Sequence, residues 1–286
     1  MICQNNKIAI GTVNFGLDYG TFNEVGKLKF KDVEKIIQFS FEKGINTLDT
    51  ASAYGESEKV LGMIGVDKFN IVSKFTACSE DQLMKEFDNS IDNLKVNSLY
   101  AYMSHNPNQI FENYKLWDRL LILKDEGRIK KIGLSINKIS QISSLLDFKI
   151  KPDIVQVPYN LLDHRFIKII KELKKNGTEI HSRSTFLQGL VFIDPKKLPK
   201  RLKSFSSSLM ELNKICSKFD LKMFDLALNF AIFNVSVDKV LIGVQSIEEL
   251  EMNLKIVNNE LPIEIINKIN DVKIKNKLLL DPVTWI

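Results

Sequence analysis

Leu48-Asp49-Thr50-Ala51-Ser52-Ala53-Tyr54-Gly55-Glu56-Ser57-Glu58 sets an acid, a phenol and a glycine between an apolar run and an amphipathic one. Ahead of it, Gly44-Ile45-Asn46-Thr47-Leu48 has the composition of a short buried strand. Behind it, Glu56 and Glu58 put carboxylates where a helix N-terminus favours them. The stretch reads as a strand end, a loop and the start of a helix, and α/β proteins keep their chemistry on such loops at the carboxyl ends of strands.

Outward from this corner, short β-branched runs alternate with longer amphipathic ones along the chain. Strands are predicted at residues 8–10, 45–48, 70–73, 99–103, 131–134, 153–157, 179–182 and 239–242. Helices are predicted near 31–43, 56–64, 80–94, 114–126, 138–146, 165–176 and 247–257, with a longer run at 205–233 broken near Asp220. Eight strands, each followed by helix, is the count of a closed (β/α)8 TIM barrel, and a length of 286 residues suits it. The open, doubly wound alternative lacks sequence support: no Gly-x-Gly-x-x-Gly follows the first strand, and no P-loop occurs. No composition break or Gly/Ser linker divides the chain, so residues 1–286 are expected to form a single α/β barrel domain.

Hydrophobic residues make up 44% of the chain, enough for a large core, without any apolar run of about 18 residues that would span a bilayer. The N-terminus moves straight toward a strand and lacks the pattern of a secretion signal, so a soluble, cytoplasmic protein is expected. Cys3, Cys78 and Cys216 are widely spaced and include no Cys-x-x-Cys pair, which argues against a disulfide framework or a metal site. The net charge of +5 arises from 40 basic and 35 acidic residues, with the lysines spread over helices, so a nucleic-acid partner is not expected. The densest basic stretch, residues 196–203, reads as a solvated loop face.

In a barrel, three successive strand ends bring one polar group each to the same face: Asp49, Lys74 and His105, separated by 25 and 31 residues, each one βα unit. Tyr54 returns beside them from the loop after Asp49. Singly, each has an ordinary alternative: an Asp before a helix often caps it, and a strand-end Lys often reaches solvent. Together they make a proton-delivery device. A Tyr hydroxyl, with a pKa of about 10, is a poor acid at neutral pH, and an adjacent Lys74 ammonium is expected to lower that value. Asp49 would keep the lysine charged, His105 would orient a substrate carbonyl, and Tyr54 would give or take the proton. Nothing in this set acts as nucleophile or metal cage, so the partner at carbon must come from elsewhere.

These residues resemble the aldo-keto reductase superfamily over nearly the whole chain. Its Asp-Thr-Ala, Tyr-Gly and Ser-Glu pattern stands at Asp49-Thr50-Ala51, Tyr54-Gly55 and Ser57-Glu58, with its strand-end Lys and His at Lys74 and His105. Ile132-Gly133-Leu134-Ser135 and Gln156-Val157-Pro158-Tyr159-Asn160 resemble the family's fifth and sixth strands. The resemblance implies a barrel that binds NADP(H) or NAD(H) without a Rossmann domain and passes hydride between it and a small-molecule carbonyl compound. By family position, Gly11 and Thr12 would approach the nicotinamide, and Ser135 and Gln156 would hold its carboxamide. Arg183, Ser184 and Leu187 would flank the cofactor. The stretch from Gly243 through Gln245 and Glu249 to Asn253 would enclose its adenosine end, with Ser246 and Ile247 opening a helix suited to an anion.

Three departures stand out. Ile136 follows the fifth-strand Ser where the family commonly has Asn, and Asn137 comes one later. Arg183 occupies the place of a Tyr that in many members stacks on nicotinamide; its guanidinium can stack or bind an acidic group. The last βα loop carries Glu248 and Glu249 where NADPH-selective members usually present a base, so either carboxylate could accept from a ribose 2′-hydroxyl and favour NADH. A carbonyl reductase is the leading expectation. A cofactor-binding sensor barrel with little turnover and a Schiff-base aldolase or isomerase using Lys74 are the alternatives. Specificity is assigned to the loops at 106–114 and 188–203 and to the C-terminal tail, with a sugar or acidic carbonyl compound as candidate substrate. A monomer or small homo-oligomer is expected.

Overall fold

Parallel strands are covered on both faces, so their sequences are apolar almost throughout. In the computed structural model, which describes residues 4–256 and 260–285, the strands β1 (Ile8–Gly11), β2 (Thr47–Asp49), β3 (Asn70–Phe75) and β4 (Leu99–Ser104) are buried along most of their length. So are β5 (Ile129–Ser135), β6 (Ile154–Pro158), β7 (Glu179–Arg183) and β8 (Lys239–Gly243), and β7 departs most from the apolar rule, with Glu179, His181, Ser182 and Arg183. Each pairs in parallel with the next and β8 with β1, closing the barrel. Cys3, the predicted helix end at Val257 and the terminal Ile286 lie outside the described residues.

The helices are α1 (Val13–Gly16), α2 (Phe30–Glu42), α3 (Ser57–Ile64), α4 (Glu80–Leu94), α5 (Asn108–Glu112), α6 (Lys115–Asp125), α7 (Ser140–Asp147), α8 (Ile167–Lys175), α9 (Ser206–Phe219), α10 (Met223–Ile232), α11 (Ile247–Ile256) and α12 (Ile263–Asp271). The break foreseen near Asp220 separates α9 from α10, and Asp220 takes the left-handed conformation there, φ 51°. α4 starts where Ser79 accepts from Gln82 N at 3.3 Å and carries Glu80 and Asp81 in its first turn. β2 begins two residues later than expected. Gly44, φ 79°, ends α2, and Ile45 N donates to Ser40 O at 3.0 Å, so Ile45 belongs to the helix-closing turn. Short α1 and α5 and the later α12 were not foreseen; α1 and α5 are single turns, too brief for periodicity to register.

Two apolar layers hold the barrel. The larger lies between strands and helices. A small one, Val72, Ala101, Met103 and Ile154, fills the barrel interior and separates its N-terminal floor from its C-terminal mouth. The C-terminal tail buries Trp285 against Phe22 and Phe205, each ring centre 6.4 Å away, and so covers hydrophobic surface. Among the described residues, no helix is long and apolar enough to cross a membrane.

Candidate active site

Strand alternation aims the reactive groups. Val72 faces the interior, so Lys74, two residues on, faces it too, one layer nearer the mouth. β3 extends to Phe75, which puts Lys74 inside the strand instead of at its end. Asp49 is the last residue of β2, and His105 follows β4, its N–H donating to Phe75 O at 2.9 Å.

The loop carrying Tyr54 is fixed by close backbone approach. Ser52 N donates to Lys74 O at 3.0 Å and Ser57 N to Tyr54 O at 3.1 Å. Gly16 of α1 lies so near that a Cβ there would be 1.8 Å from Tyr54 O, and Gly55 turns the chain at φ 58°. Only glycine fits at Gly16, and the phenol's position depends on it.

Lys74 and Asp49 form a buried ion pair, Nζ to Oδ1 2.6 Å, with side chains 0% and 3% exposed. Lys74 Nζ also donates to Thr50 O at 2.9 Å, and Gln156 Nε2 donates to Asp49 Oδ2 at 2.7 Å. Burial works against the ammonium, but Asp49 and Tyr54 together hold its pKa above the usual lysine value. The ammonium lies 5.2 Å from the Tyr54 ring centre, and the Tyr54 and His105 rings meet edge to face at 5.8 Å. The four residues converge.

The Lys74 ammonium acts on Tyr54 in the expected direction but is outweighed. The Tyr54 pKa is raised: burial dominates, and the Lys74 ammonium only partly offsets it while Asp49 adds to the rise. His105 is pushed down to about 4 by burial and by the Lys74 charge, so its ring is neutral at pH 7. At neutral pH the site holds a protonated phenol, a neutral imidazole and an ion pair of no net charge.

The residues expected at a cofactor fall into two groups. Thr12 is fully buried and turned inward: its hydroxyl donates to Asp49 O at 3.0 Å and lies 2.8 Å from Ser57 Oγ. Gln156 donates to Asp49, as above. Glu249 closes its own helix, its Oε2 accepting from Gln245 N at 2.7 Å while Ser246 Oγ accepts from Glu249 N at 3.1 Å. Each of these three already holds a partner within the protein. Others remain open. Gly243 is exposed, and a Cβ built on it meets nothing within 4 Å; Gly11 pairs beside it in the barrel wall. Ser135 ends β5 in register with Gln156. Asn253 is fully buried, yet neither its Nδ2 nor its Oδ1 finds a partner among the described residues, the condition of an amide shaped for an added group. The unpaired amide and the uncovered glycine are the features in this group that leave room for an added ligand.

After β7 the chain runs through unusual backbone, Ser184 at φ 62° and Leu187 at φ 46°, and Thr185 Oγ1 ties it to Leu241 O at 3.0 Å. Gln188 reaches Thr21 N and Thr21 Oγ1, both at 2.9 Å, and Gln245 Nε2 reaches Asn23 Oδ1 at 2.7 Å. These ties draw the β1–α2 loop over the mouth. They join residues more than 160 positions apart and leave no local signal in the sequence.

A family model described as Aldo/keto reductase family matches residues 7–274. L-galactose dehydrogenase of Arabidopsis thaliana is 24% identical over 98% of this chain and 95% of that protein. Aldo-keto reductase YhdN of Bacillus subtilis is 23% identical over 87% of this chain and 84% of its own. The holo form of aldo-keto reductase AKR11C1 from Bacillus halodurans superposes with a TM-score of 0.77 at 19% identity, covering 93% of this chain and 91% of that one.

Proposed function

The chain belongs to the Aldo/keto reductase family, and from that premise we propose that Tyr54 is the proton donor of an NAD(P)H-dependent reduction of an aldehyde or ketone. The observation that carries this reading is the buried Lys74–Asp49 pair beneath a phenol that His105 meets edge-on.

A bound nicotinamide dinucleotide supplies or accepts the hydride. Ser135, Gly243 and Asn253 would hold it. Tyr54, protonated at neutral pH because burial raises its pKa, delivers its proton to the carbonyl oxygen as charge develops there. Lys74 stabilises the phenolate left behind, Asp49 keeps Lys74 charged and in place, and neutral His105 donates a hydrogen bond to the same oxygen. Tyr54→Phe should lower kcat by a factor of about 100 to 10,000 while dinucleotide affinity, followed by fluorescence titration, stays within about twofold. Equal turnover in the variant would remove Tyr54 from this role, and dinucleotide binding without oxidation across a broad carbonyl panel would make the barrel a sensor.

The same reading extends to NADH over NADPH. Glu248 is exposed at the start of α11, its pKa lowered first by its own backbone N–H and then by Ser246. Together with Glu249 it fills with negative charge the helix N-terminus that a 2′-phosphate would need. NADH should bind more tightly than NADPH, and Glu248→Arg should narrow the gap in a fluorescence titration.

A further inference from the structure

The chain has five arginines, and four are accounted for in ordinary ways. Arg119, Arg128 and Arg165 pair with Glu80, Asp88 and Asp163 at 3.6, 2.7 and 2.7 Å. Arg201 is exposed to solvent. Arg183 is neither. It is half-buried at the mouth, with no carboxylate within 4 Å among the described residues. The carboxylates whose charge it feels are Asp281 and Asp163; neither reaches it within 4 Å, and Asp163 is already held through both oxygens by Arg165 Nε and Nη2 at 2.8 and 2.7 Å.

Its direction is fixed. Nη1 donates to Ser184 Oγ at 3.2 Å, and Nη2 donates to Asn137 Oδ1 and, at 3.4 Å, to Ile136 O. Arg183 thus leaves β7, crosses β6 and is anchored on the segment after β5, on the side of the mouth where His105 stands and away from β8. Its charge is felt at both His105 and Tyr54, adding to the fall at His105 and opposing the larger rise that burial causes at Tyr54. Of its five N–H groups, Nε–H and one on Nη1 have no acceptor among the described residues. Lys74 and Asp49 pair with each other at 2.6 Å, whereas this guanidinium faces the mouth with no carboxylate in contact. A half-buried cation without a counter-ion is costly to keep unless a ligand provides one.

We propose that Arg183, clamped by Asn137, is the anion-recognition residue of the substrate pocket, and that the carbonyl substrate carries a carboxylate or phosphate close to its reacting carbon. This rests on the reductase reading above. The displaced Asn137 acquires a use: it orients the guanidinium as a positioning residue. The fork geometry of guanidinium suits either oxyanion and is not reproduced by lysine.

Two matched pairs of aldehydes test it: 4-carboxybenzaldehyde against its methyl ester, and glyceraldehyde 3-phosphate against glyceraldehyde. In the wild-type chain the charged member of at least one pair should have a kcat/KM at least about tenfold higher, and which pair responds identifies the anion. Arg183→Met should bring that ratio to about one with dinucleotide affinity unchanged, and Asn137→Ala should lower it by a smaller factor, mainly through KM. Calorimetric titration with benzoate against benzamide, and with phosphate, gives a readout without turnover. Anion binding that Arg183→Met abolishes, in a chain that reduces nothing, would sink the reductase reading and leave the anion site standing. Turnover with no preference for charge, a preference that survives Arg183→Met, or a loss confined to dinucleotide affinity would overturn the anion site.

Discussion

The two ends of β7 treat charge in opposite ways. At the floor of the barrel, Glu179 accepts from Tyr100 Oη at 2.7 Å, is bonded by Lys131, and lies 2.7 Å from His181 Nε2. Lys239 beside it places all three of its protons on Asn6 O, Asn6 Oδ1 and Asn46 Oδ1, at 2.5, 2.9 and 2.8 Å. At the mouth, four residues along the same strand, Arg183 keeps two N–H groups free and Asn253 keeps a whole amide unpaired among the described residues. Both ends are polar and both are held by the same scaffold. What separates the two ends is the state of their cations: Lys131 and Lys239 at the floor are bonded to nearby acceptors, while the Arg183 fork at the mouth has N–H groups to spare, even though the floor too keeps one buried atom, His181 Nδ1, without a partner among the described residues.

The comparison breaks most sharply at Asp49. Asp49→Asn leaves the Lys74 ammonium buried without its counter-charge, so stability should fall by about 3–5 kcal/mol in chemical denaturation, and turnover should fall with it. Glu179→Gln, at the floor, should cost about 1–3 kcal/mol for the lost charge-assisted bonds and leave kcat unchanged. A variant at Glu179 that impaired kcat would show that the floor communicates with the chemistry. Ser246→Ala, which removes a helix cap and the hydrogen bond to Glu248, should cost about 1 kcal/mol.

Acid separates the two regions without mutation. His105 has a folded pKa of about 4, below its unfolded value of about 6.5, so the unfolded chain binds more protons between them. Its contribution is complete above about pH 6.5 and disappears as pH falls toward 4, and His105→Asn should flatten the fall in Tm over that window. Glu179 titrates lower. Burial opposes its charge, but His181, Lys131 and Tyr100 hold its pKa well below the usual carboxylate value, so its contribution persists above pH 4.5 and is lost only below. Glu179→Gln should therefore change the acid limb below the window that His105 controls.

Much of the fold was legible. All eight strands lie where periodicity put them, within two residues at their ends, since burial on both faces leaves its mark in every β-branched run. The chemical quartet was legible too, because parallel strands in sequence order must deliver Asp49, Lys74 and His105 side by side. Partner choice was not. Thr12, Gln156 and Glu249, expected at a cofactor, each make a hydrogen bond within the protein, and nothing local distinguishes a free amide from one that meets a carboxylate 107 residues away. The shift of Tyr54 went the same way: proximity to Lys74 can be inferred from a motif, but depth of burial cannot.

The sequence by itself determined the barrel, the face on which its chemistry stands and the residue types available there, since all of these follow from local pattern and the order of strands. Only the tertiary structure decided which of those groups are spent and which are left open. That decision turns on hydrogen bonds and desolvation between distant segments: Gln156 closes on Asp49, Glu249 on its own helix, and Arg183 on Asn137 with two protons to spare.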